Sequence, residues 1–538
     1  MTDIPADLRM AFDAYERALM DDDLDALDAA FAPGAATLRG DGAGLLVGHD
    51  EISAFRGFRG GVPARVIESV EYRPLGDGIA LLVSVSRFVA GGRGLQTQVW
   101  QLVDGRWLIT AAHVTPRSAA FDRAVWRTVG DPLYQGAWEG PLAGLTVAVK
   151  DLFAVKGYRI GAGNPAYLDS ARAETTSAPA VGDLLRGGAS LRGIARTDEF
   201  AYSIAGDNPH YGTPPNAAVP GALPGGSSSG PASAVALGHA DIALATDTAG
   251  SVRVPASYQG LWGLRTTHDL VPRQGLLPLA QTFDTVGWLT RDGATLQAVA
   301  DWCLSYDGSG STESVLGASG DDLPWRFRVP AEALAAAEPA TRAAFEAFVA
   351  ASALPVEEVS LGDLDGYLVP FRTVQGAEAW RNNGEWLRAH PGATGPAVAE
   401  RFRAAAAVTP ADEASARAAL APLREALHAL VQDAVLLLPT VPGPAPARSA
   451  SGADVEAVRQ NTLRLTTPAA VGGLPALSVP LLRVAPASDA ARTRPPAPAP
   501  VGVSLISRAG TDIALVRLGR ALNALHALHA RSSETDSA

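Results

Sequence analysis

The chain has 538 residues, more than a single hydrophobic core usually serves, so we expect two domains. Its formal net charge of −12 argues against nucleic acid as a partner, because that affinity comes mainly from clustered cations. No apolar run reaches the roughly 18 residues of a membrane helix, and the start lacks the features of a secretory signal. The single cysteine, Cys303, excludes an intramolecular disulfide and suits a reducing cytoplasm. We therefore expect a small-molecule substrate and neither nucleic acid nor a membrane.

The first 120 residues predict a small α+β domain. Apolar residues at helical spacing begin at Leu8, and the acidic run 21–23 can cap a second helix that extends to Phe31. A third helical stretch follows near 51–58. Alternating apolar and polar residues then indicate antiparallel strands, a pattern typical of α+β units after helices. The predicted strands are 65–72, 78–89, 95–103 and 107–114.

A seam near residue 120 separates this domain from the rest of the chain. We predict a linker over 121–130, within a segment (116–131) that carries one amphipathic helix, then a second domain over 131–533 and a tail over 534–538. In the second domain strands alternate with helices, which favours an α/β fold with a mixed central sheet covered by helices. The predicted strands are 145–149, 189–194, 476–481 and 501–506, the predicted helices are 180–186, 232–237 and most of 330–435, and a loop is predicted at 484–500.

Lysine is scarce in this chain. Only two of the 44 basic residues are lysines, Lys150 and Lys156. An arginine does not lose its proton in a protein, whereas a buried lysine can have its pKa lowered enough to act as a base. Lys150 follows a short apolar stretch and is a candidate base. The alternative is a coding bias that left two lysines by accident, and Lys156 fits that alternative as a solvated turn residue.

Two stretches rich in glycine and serine are the other candidates for chemistry. Glycines beside serines let the backbone bring main-chain donors close to a ligand. Taken singly, the first stretch could instead be a flexible turn or an anion site before a helix, and the second a capping turn. The stretches are Gly225-Gly226-Ser227-Ser228-Ser229-Gly230 and Asp247-Thr248-Ala249-Gly250-Ser251-Val252-Arg253.

Lys150-Asp151-Leu152-Phe153 followed by these two stretches, in this order, resembles the amidase signature family. The likeness continues at 258–265, 438–442 and 500–502, so it covers roughly residues 131–530. It implies an amidase signature fold and an amidohydrolase without cofactor or metal. Ala249 and Ser229 stand where the family frequently has glycine, and both are small.

The resemblance also implies a role for each residue of the motifs. Ser251 corresponds to the nucleophile, Ser227 to a bridging serine after a cis peptide, and Lys150 to the base. The backbone amides from residue 248 to 251 correspond to an oxyanion hole that stabilises the tetrahedral intermediate. The residues implied for that hole are Thr248, Ala249 and Gly250, and the implied supporting residues are Ser228 and an ion pair of Asp247 with Arg253.

The first domain resembles the small cone-shaped proteins of the SnoaL and nuclear-transport-factor type. The likeness lies in 12–19, 47–52 and 107–114, and more narrowly it extends to the dicarboxyurea decarboxylase found beside amidases in cyanuric acid degradation. In that relative a tyrosine and an arginine line the pocket, and Tyr15 and Arg39 are the matching positions. The alternative is a core tyrosine and a surface arginine.

More than one class of function remains open. The favoured one is a cytoplasmic hydrolase that cleaves a C–N bond of a small carboxamide or ureido acid and releases ammonia in nitrogen catabolism. The first domain would feed it, process its substrate or pair chains as a homodimer. The alternatives are an amidase-type subunit of a transamidation-like assembly and a bifunctional amidase and decarboxylase. Other serine hydrolases fit less well, because Ser251 lacks a Gly-x-Ser-x-Gly elbow and Lys150 lacks a serine three positions earlier.

Overall fold

The structure divides into two compact units, Met1–Asp122 and Arg123–Ala538. It is a computed structural model that describes residues 4–41, 44–59, 62, 64–88, 93–115, 122–305, 326–485 and 498–535. Parts of the predicted linker, loop and tail lie outside these residues, namely 121, 486–497 and 536–538.

The first unit has the predicted α+β class. Its described helices are α1 (Ala6–Asp21), α2 (Leu24–Ala29) and α3 (His49–Arg59). Its described strands are β1 (Leu38–Asp41), β2 (Gly44–Val47), β3 (Arg65–Gly76), β4 (Ile79–Phe88), β5 (Arg93–Val103) and β6 (Arg106–Thr115). They form one sheet in the order β2-β1-β6-β5-β4-β3, in which β1 and β6 are parallel and the other neighbours antiparallel.

Local sequence explains most of these elements. Helix α1 forms because Leu8, Phe12 and Tyr15 recur at helical spacing and are buried in the core of this unit. The predicted cap of α2 is present, since Asp23 Oδ1 accepts a hydrogen bond from Ala26 N at 3.0 Å. The four long predicted strands are confirmed by β3 to β6. Strands β1 and β2 were not predicted, because four residues are too few to show a distinctive alternation.

The second unit is built on a mixed sheet, which confirms the predicted α/β class. Its described strands are β7 (Trp126–Tyr134), β8 (Thr146–Lys150), β9 (Ser190–Ala195), β10 (Ile242–Asp247), β11 (Trp262–Arg265), β12 (Thr285–Thr290), β13 (Phe327–Pro330), β14 (Val356–Val359), β15 (Val435–Pro439), β16 (Ala476–Val484) and β17 (Ala499–Ile506). The strand order is β14-β13-β15-β17-β16-β11-β12-β10-β8-β9-β7.

The second unit also contains helices, which alternate along the chain with the strands of this sheet. Those described are α4 (Pro165–Ser170), α5 (Pro179–Arg186), α6 (Ser229–Ala236), α7 (Arg253–Gln259), α8 (Gly293–Ser305), α9 (Ala331–Ala336), α10 (Pro339–Ala351), α11 (Leu364–Ala389), α12 (Pro396–Ala406), α13 (Pro410–Leu430), α14 (Gly452–Gly472) and α15 (Asp512–Thr535). The helical prediction for most of 330–435 is thus confirmed by α9 to α13.

The centre of the large sheet brings separate motifs together. Strands β8 and β10 are parallel neighbours, with Val149 opposite Leu244. Both strands are buried almost throughout. The carboxyl ends of parallel neighbours meet at one edge of a sheet. Lys150, the last residue of β8, therefore lies close to Asp247, the last residue of β10.

The predicted linker helix is wrong where the structure describes its residues. Residues 126–130 belong to β7, an edge strand that pairs antiparallel with β9. Val125 and Trp126 are buried in the core of the second unit. Apolar residues in so short a window fit a half-buried strand as well as a helix, and tertiary packing decides between them.

Candidate active site

Lys150 ends β8 with its side chain fully buried and its amine among hydroxyl groups. Its Nζ lies 2.8 Å from Ser227 Oγ, 2.9 Å from Ser228 Oγ and 2.8 Å from Thr246 Oγ1. Burial lowers the pKa of this amine to about 7, although nearby carboxylates oppose the shift. Near neutral pH a substantial fraction of Lys150 is therefore uncharged, as a proton acceptor must be.

The loop that carries Ser227 packs against the segment that follows β9. The Gly226–Ser227 peptide is cis. The Ser227 carbonyl accepts hydrogen bonds from Asp198 N at 3.1 Å and from Thr197 Oγ1 at 2.8 Å. Ser229 Oγ donates to Asp198 Oδ1 at 2.8 Å. Glycine is required at 226, because an added Cβ would overlap the Asp198 carboxylate.

Asp247 is the centre of a buried ionic cluster at the end of β10. The predicted ion pair is present, with Arg253 Nη2 2.9 Å from Asp247 Oδ1 and Arg253 Nε 3.0 Å from Oδ2. Arg265 adds a second guanidinium, 3.1 Å from Oδ1, and also donates to the Asp247 carbonyl at 2.6 Å. Burial alone would raise the pKa of Asp247, but the two guanidiniums outweigh it and hold that pKa well below its usual range.

The segment 248–252, which we call the Ser251 loop, wraps around this carboxylate. Gly250 N donates to Asp247 Oδ1 at 2.7 Å. The N–H of Gly250, one of the three residues predicted for the oxyanion hole, therefore already has a carboxylate partner. The backbone amides of Thr248, Ala249 and Ser251 donate to no group among the described residues.

Helix α14 holds the Ser251 loop from outside. Thr466 Oγ1 donates to Ala249 O at 2.6 Å, and Thr466 O accepts a hydrogen bond from Arg253 Nη1 at 2.9 Å. The contact is close enough to require glycine at 250, where φ is +122° and an added Cβ would lie 3.1 Å from the Thr466 side chain. The loop is thus tied on both sides of Ser251.

Ser251 itself lies between these anchors and is 4% exposed. Its Oγ has no hydrogen-bond partner within the described part of the chain. No described group therefore fixes the orientation of this hydroxyl.

Sequence reasoning missed several residues of this site. Thr246 stands directly before the second motif and could have been included with it. Asp198, Asp284 and Thr466 lie in segments without a motif. Burial raises the pKa of both Asp198 and Asp284 to about 6. Asp284 Oδ1 accepts a hydrogen bond from Thr248 Oγ1 at 2.7 Å, so it supports the Ser251 loop.

In the first unit, Tyr15 and Arg39 line the same small cavity of about 40 Å³. Tyr15 is also a core residue, since it is 5% exposed and its ring packs against two other aromatic rings. Arg39 is buried, so the alternative of a surface arginine is wrong. Two further arginines line the cavity without having been predicted, Arg56 and Arg65.

Within the described ranges, no group of three or more His, Cys, Asp or Glu side chains could hold a metal ion. No helix of that part of the chain combines the length and the apolar character needed to cross a bilayer.

Known proteins share both units. The pattern of the Amidase family matches residues 120–516, and that of the AtzH-like family matches residues 1–119. Amidase 1 of Arabidopsis thaliana is 36% identical over 406 residues, which are 70% of this chain and 92% of that protein. A solved structure described as "Crystal structure of amidase" is 30% identical with a TM-score of 0.63, over 75% of this chain and 92% of the other.

A second solved structure is described as "An unexpected vestigial protein complex reveals the evolutionary origins of an s-triazine catabolic enzyme". It is 28% identical with a TM-score of 0.62, over 71% of this chain and 84% of the other. These likenesses define the class: the chain belongs to the amidase family and is a hydrolase of the amidase signature type. More particularly, it is an amidase preceded by an AtzH-like unit.

Proposed function

We propose that Ser251 is the nucleophile of this amidase, with Ser227 as the proton relay and Lys150 as the base. Neutral Lys150 takes the proton of Ser227 Oγ, Ser227 takes the proton of Ser251 Oγ, and Ser251 attacks the amide carbonyl. The C–N bond breaks as the nitrogen leaves with the relayed proton, which gives an acyl-enzyme and ammonia. Water then attacks the acyl group, loses its proton through the same relay and releases the acid.

The contact between Lys150 Nζ and Ser227 Oγ, 2.8 Å long in a fully buried site, carries this proposal. An amine whose pKa is lowered to about 7 can both accept and return a proton near neutral pH. The hydroxyls of Ser228 and Thr246 accept its other N–H groups and so orient it. The remaining direction for proton transfer is toward Ser227.

In this proposal the Ser251 loop also forms the oxyanion hole. The amides of Thr248, Ala249 and Ser251 have no partner among the described residues, which supports them as donors to the tetrahedral intermediate. One such donor can contribute about 2.7–4 kcal/mol to transition-state stabilisation. Gly250 then acts through its backbone conformation, and the ionised Asp247 keeps the loop in place together with Arg253.

The substrate in this proposal is a small carboxamide or ureido acid, and its nitrogen is released as ammonia in nitrogen catabolism. The likeness to an amidase, and to a structure described with an s-triazine catabolic enzyme, supports that substrate class. The single cysteine supports a reducing compartment, and we propose the cytoplasm.

An ammonia-release assay with the purified full chain tests this function. The panel contains primary carboxamides, biuret-type compounds and oxalurate. We expect ammonia from at least one of them without any added protein. Silence on the whole panel until a partner protein is supplied would favour the transamidation-like subunit instead.

We further propose that the chain forms a homodimer through its AtzH-like unit. The support is the likeness to a solved structure that is described as a protein complex. Light scattering of the full chain should then give about twice the 55.4 kDa of one chain. The mass of a single chain at micromolar concentration would contradict the dimer.

A further inference from the structure

Asp284 is a buried carboxylate that lies directly beside the Ser251 loop. It precedes β12, which pairs antiparallel with β10 so that Thr285 lies opposite Asp247. The next residue beyond this pair on each chain, Asp284 on one and Thr248 on the other, is therefore brought close to its counterpart. Thr248 Oγ1 donates a hydrogen bond to Asp284 Oδ1 at 2.7 Å. The pairing of the two strands thus places Asp284 at the start of the loop that carries Ser251.

The Asp284 carboxylate accepts hydrogen bonds on both of its oxygens. While Oδ1 binds the Thr248 hydroxyl, Oδ2 accepts hydrogen bonds from Leu279 N and Ala280 N, both at 2.9 Å. Each of these three groups can act as a donor, and an ionised carboxylate is purely an acceptor. The arrangement therefore favours the charged form of Asp284.

The charges around Asp284 also bear on its ionisation. Burial raises its pKa to about 6, because the hydrogen bonds and the nearby Arg273 offset the loss of water only in part. Arg265 and Lys150 are the other cations that interact with its charge. Arg265 is itself bound to Asp247, 3.1 Å from Oδ1. Near neutral pH, Asp284 is ionised.

The turn at 279–284 that carries Asp284 is held by α11. Glu378 accepts hydrogen bonds from Thr282 N at 3.0 Å and from Thr282 Oγ1 at 2.5 Å. Asn382 Nδ2 donates to Leu279 O at 3.1 Å. The carboxylate of Asp284 therefore belongs to a turn whose backbone is fixed at several points.

One peptide group of the Ser251 loop lacks a restraint that its neighbours have. The N–H and C=O of a trans peptide point in opposite directions, so a carbonyl held by a donor also fixes the N–H across the same bond. The carbonyl of Thr248 accepts no hydrogen bond from any described residue. The neighbouring carbonyls that do accept one are those of Asp247 (from Arg265 Nη1, 2.6 Å), Ala249 (from Thr466 Oγ1, 2.6 Å) and Gly250 (from Val254 N, 2.7 Å).

The unrestrained peptide joins Thr248 to Ala249 and carries the Ala249 N–H. It is held only through the residues at its two ends. Thr466 holds the Ala249 side, and the hydrogen bond from the Thr248 hydroxyl to Asp284 holds the Thr248 side. The direction of the Ala249 N–H therefore depends on the contact with Asp284.

We propose that Asp284 is a positioning residue of the oxyanion hole: its ionised carboxylate holds the Thr248 hydroxyl and so directs the Ala249 N–H toward the carbonyl oxygen of the substrate. The inference rests on the proposed Ser251 mechanism and adds a residue to it. Negative charge develops on that oxygen in the transition state, so a misdirected donor lowers kcat more than it raises KM. A neutral group at 284 holds the hydroxyl less firmly, because a charge-assisted hydrogen bond is about twice as strong as a neutral one.

Asp284→Asn tests this proposal, because it keeps the size of the side chain and removes its charge. The full chain is assayed at about pH 8, where Lys150 is uncharged, with any amide that the wild type hydrolyses. We expect kcat to fall by about tenfold while KM changes by less than about twofold. An unchanged kcat overturns the positioning role.

Asp512→Asn is the matched control. Asp512 is also fully buried, binds a threonine in the same way through Thr267 Oγ1 at 2.6 Å and Thr267 N at 2.7 Å, and has its pKa raised to about 6 by burial. It contacts no residue of the Ser251 loop in the described chain. The control should keep the wild-type kcat, even where thermal unfolding shows a comparable loss of stability. An equal fall of kcat in both variants would show a general effect of removing a buried charge and overturns the proposal.

The pH dependence of kcat/KM gives a second measurement, which needs only the wild type where Asp284→Asn does not fold. Between about pH 6 and 5 the wild-type value should fall by more than about tenfold per pH unit, because protonation of Asp284 adds to that of Lys150. Asp284→Asn should fall by only about tenfold per unit. A one-proton fall in the wild type overturns the proposal, and so does a steep fall that persists in Asp284→Asn, which would point to Asp198. Absence of fluorophosphonate labelling of Ser251 in the wild type overturns the proposed mechanism instead.

Discussion

Replacing Ser251 by alanine is expected to abolish amide turnover and covalent labelling by a fluorophosphonate, since both require an attacking oxygen at this position. Turnover should fall by about four orders of magnitude or more, as in other hydrolases that lose a nucleophilic serine. The fold should persist, because Ser251 Oγ has no hydrogen-bond partner among the described residues and its removal leaves no group unpaired. Thermal unfolding near the wild-type temperature checks that point.

A second buried serine provides the control for this experiment. Ser233 on α6 is fully buried, and its Oγ likewise has no partner in the described chain. It lies outside both glycine- and serine-rich motifs and has no proposed part in the reaction. Ser233→Ala should keep both turnover and labelling. Mass spectrometry of the labelled wild type should place the phosphonate on the peptide that contains Ser251. A label that survives Ser251→Ala would show that another residue is the nucleophile.

Lys150→Arg is expected to be nearly as inactive as Lys150→Ala, although it keeps the positive charge. A guanidinium does not give up its proton in a protein, so it cannot receive one from Ser227. It is also larger than the amine that is fully buried among three hydroxyl groups. Initial rates with any amide that the wild type hydrolyses measure the effect. Substantial turnover in Lys150→Arg would rule out the proton relay.

Lys156 supplies the matched control, and the pH dependence of kcat/KM supplies a second measurement. Lys156 is exposed, and Lys156→Arg should be fully active. In the wild type kcat/KM should rise with pH through about 7 and then level off, because burial places the pKa of Lys150 there and the base must be uncharged. Asp247 stays ionised across this range, since its pKa is held well below usual. A profile without a rise near pH 7 would contradict Lys150 as the base.

The family resemblance of the motifs implied that Lys150 and Ser227 act together, and the two side chains lie 2.8 Å apart. Lys150 also lies near Asp247, because β8 and β10 are buried parallel neighbours whose carboxyl ends meet at one edge of the sheet. Gly250 is a residue whose contacts the sequence pattern does not predict. Its N–H donates to the Asp247 carboxylate, and no spacing in the sequence encodes that contact.

Other parts of the structure could not be predicted from the sequence, for a different reason. The edge strand β7 was predicted as a helix because a short apolar window does not distinguish the two. Three arginines that line one cavity of the second unit, Arg372, Arg401 and Arg459, come from α11, α12 and α14 and share no motif. Long-range assembly of this kind follows from packing alone, so neither Arg401 nor Arg459 stood out in the sequence.

The attachment of the Ser251 loop to α14 has a consequence for how this enzyme can change. Thr466 and Arg253 attach the Ser251 loop to α14. Helices α11 and α12 instead line part of a cavity that also contacts α14. Substitutions on α11 and α12 can therefore change the shape of that cavity while the Ser251 loop keeps its anchors. In directed evolution, we expect more substitutions to be tolerated on α11 and α12 than around Thr466.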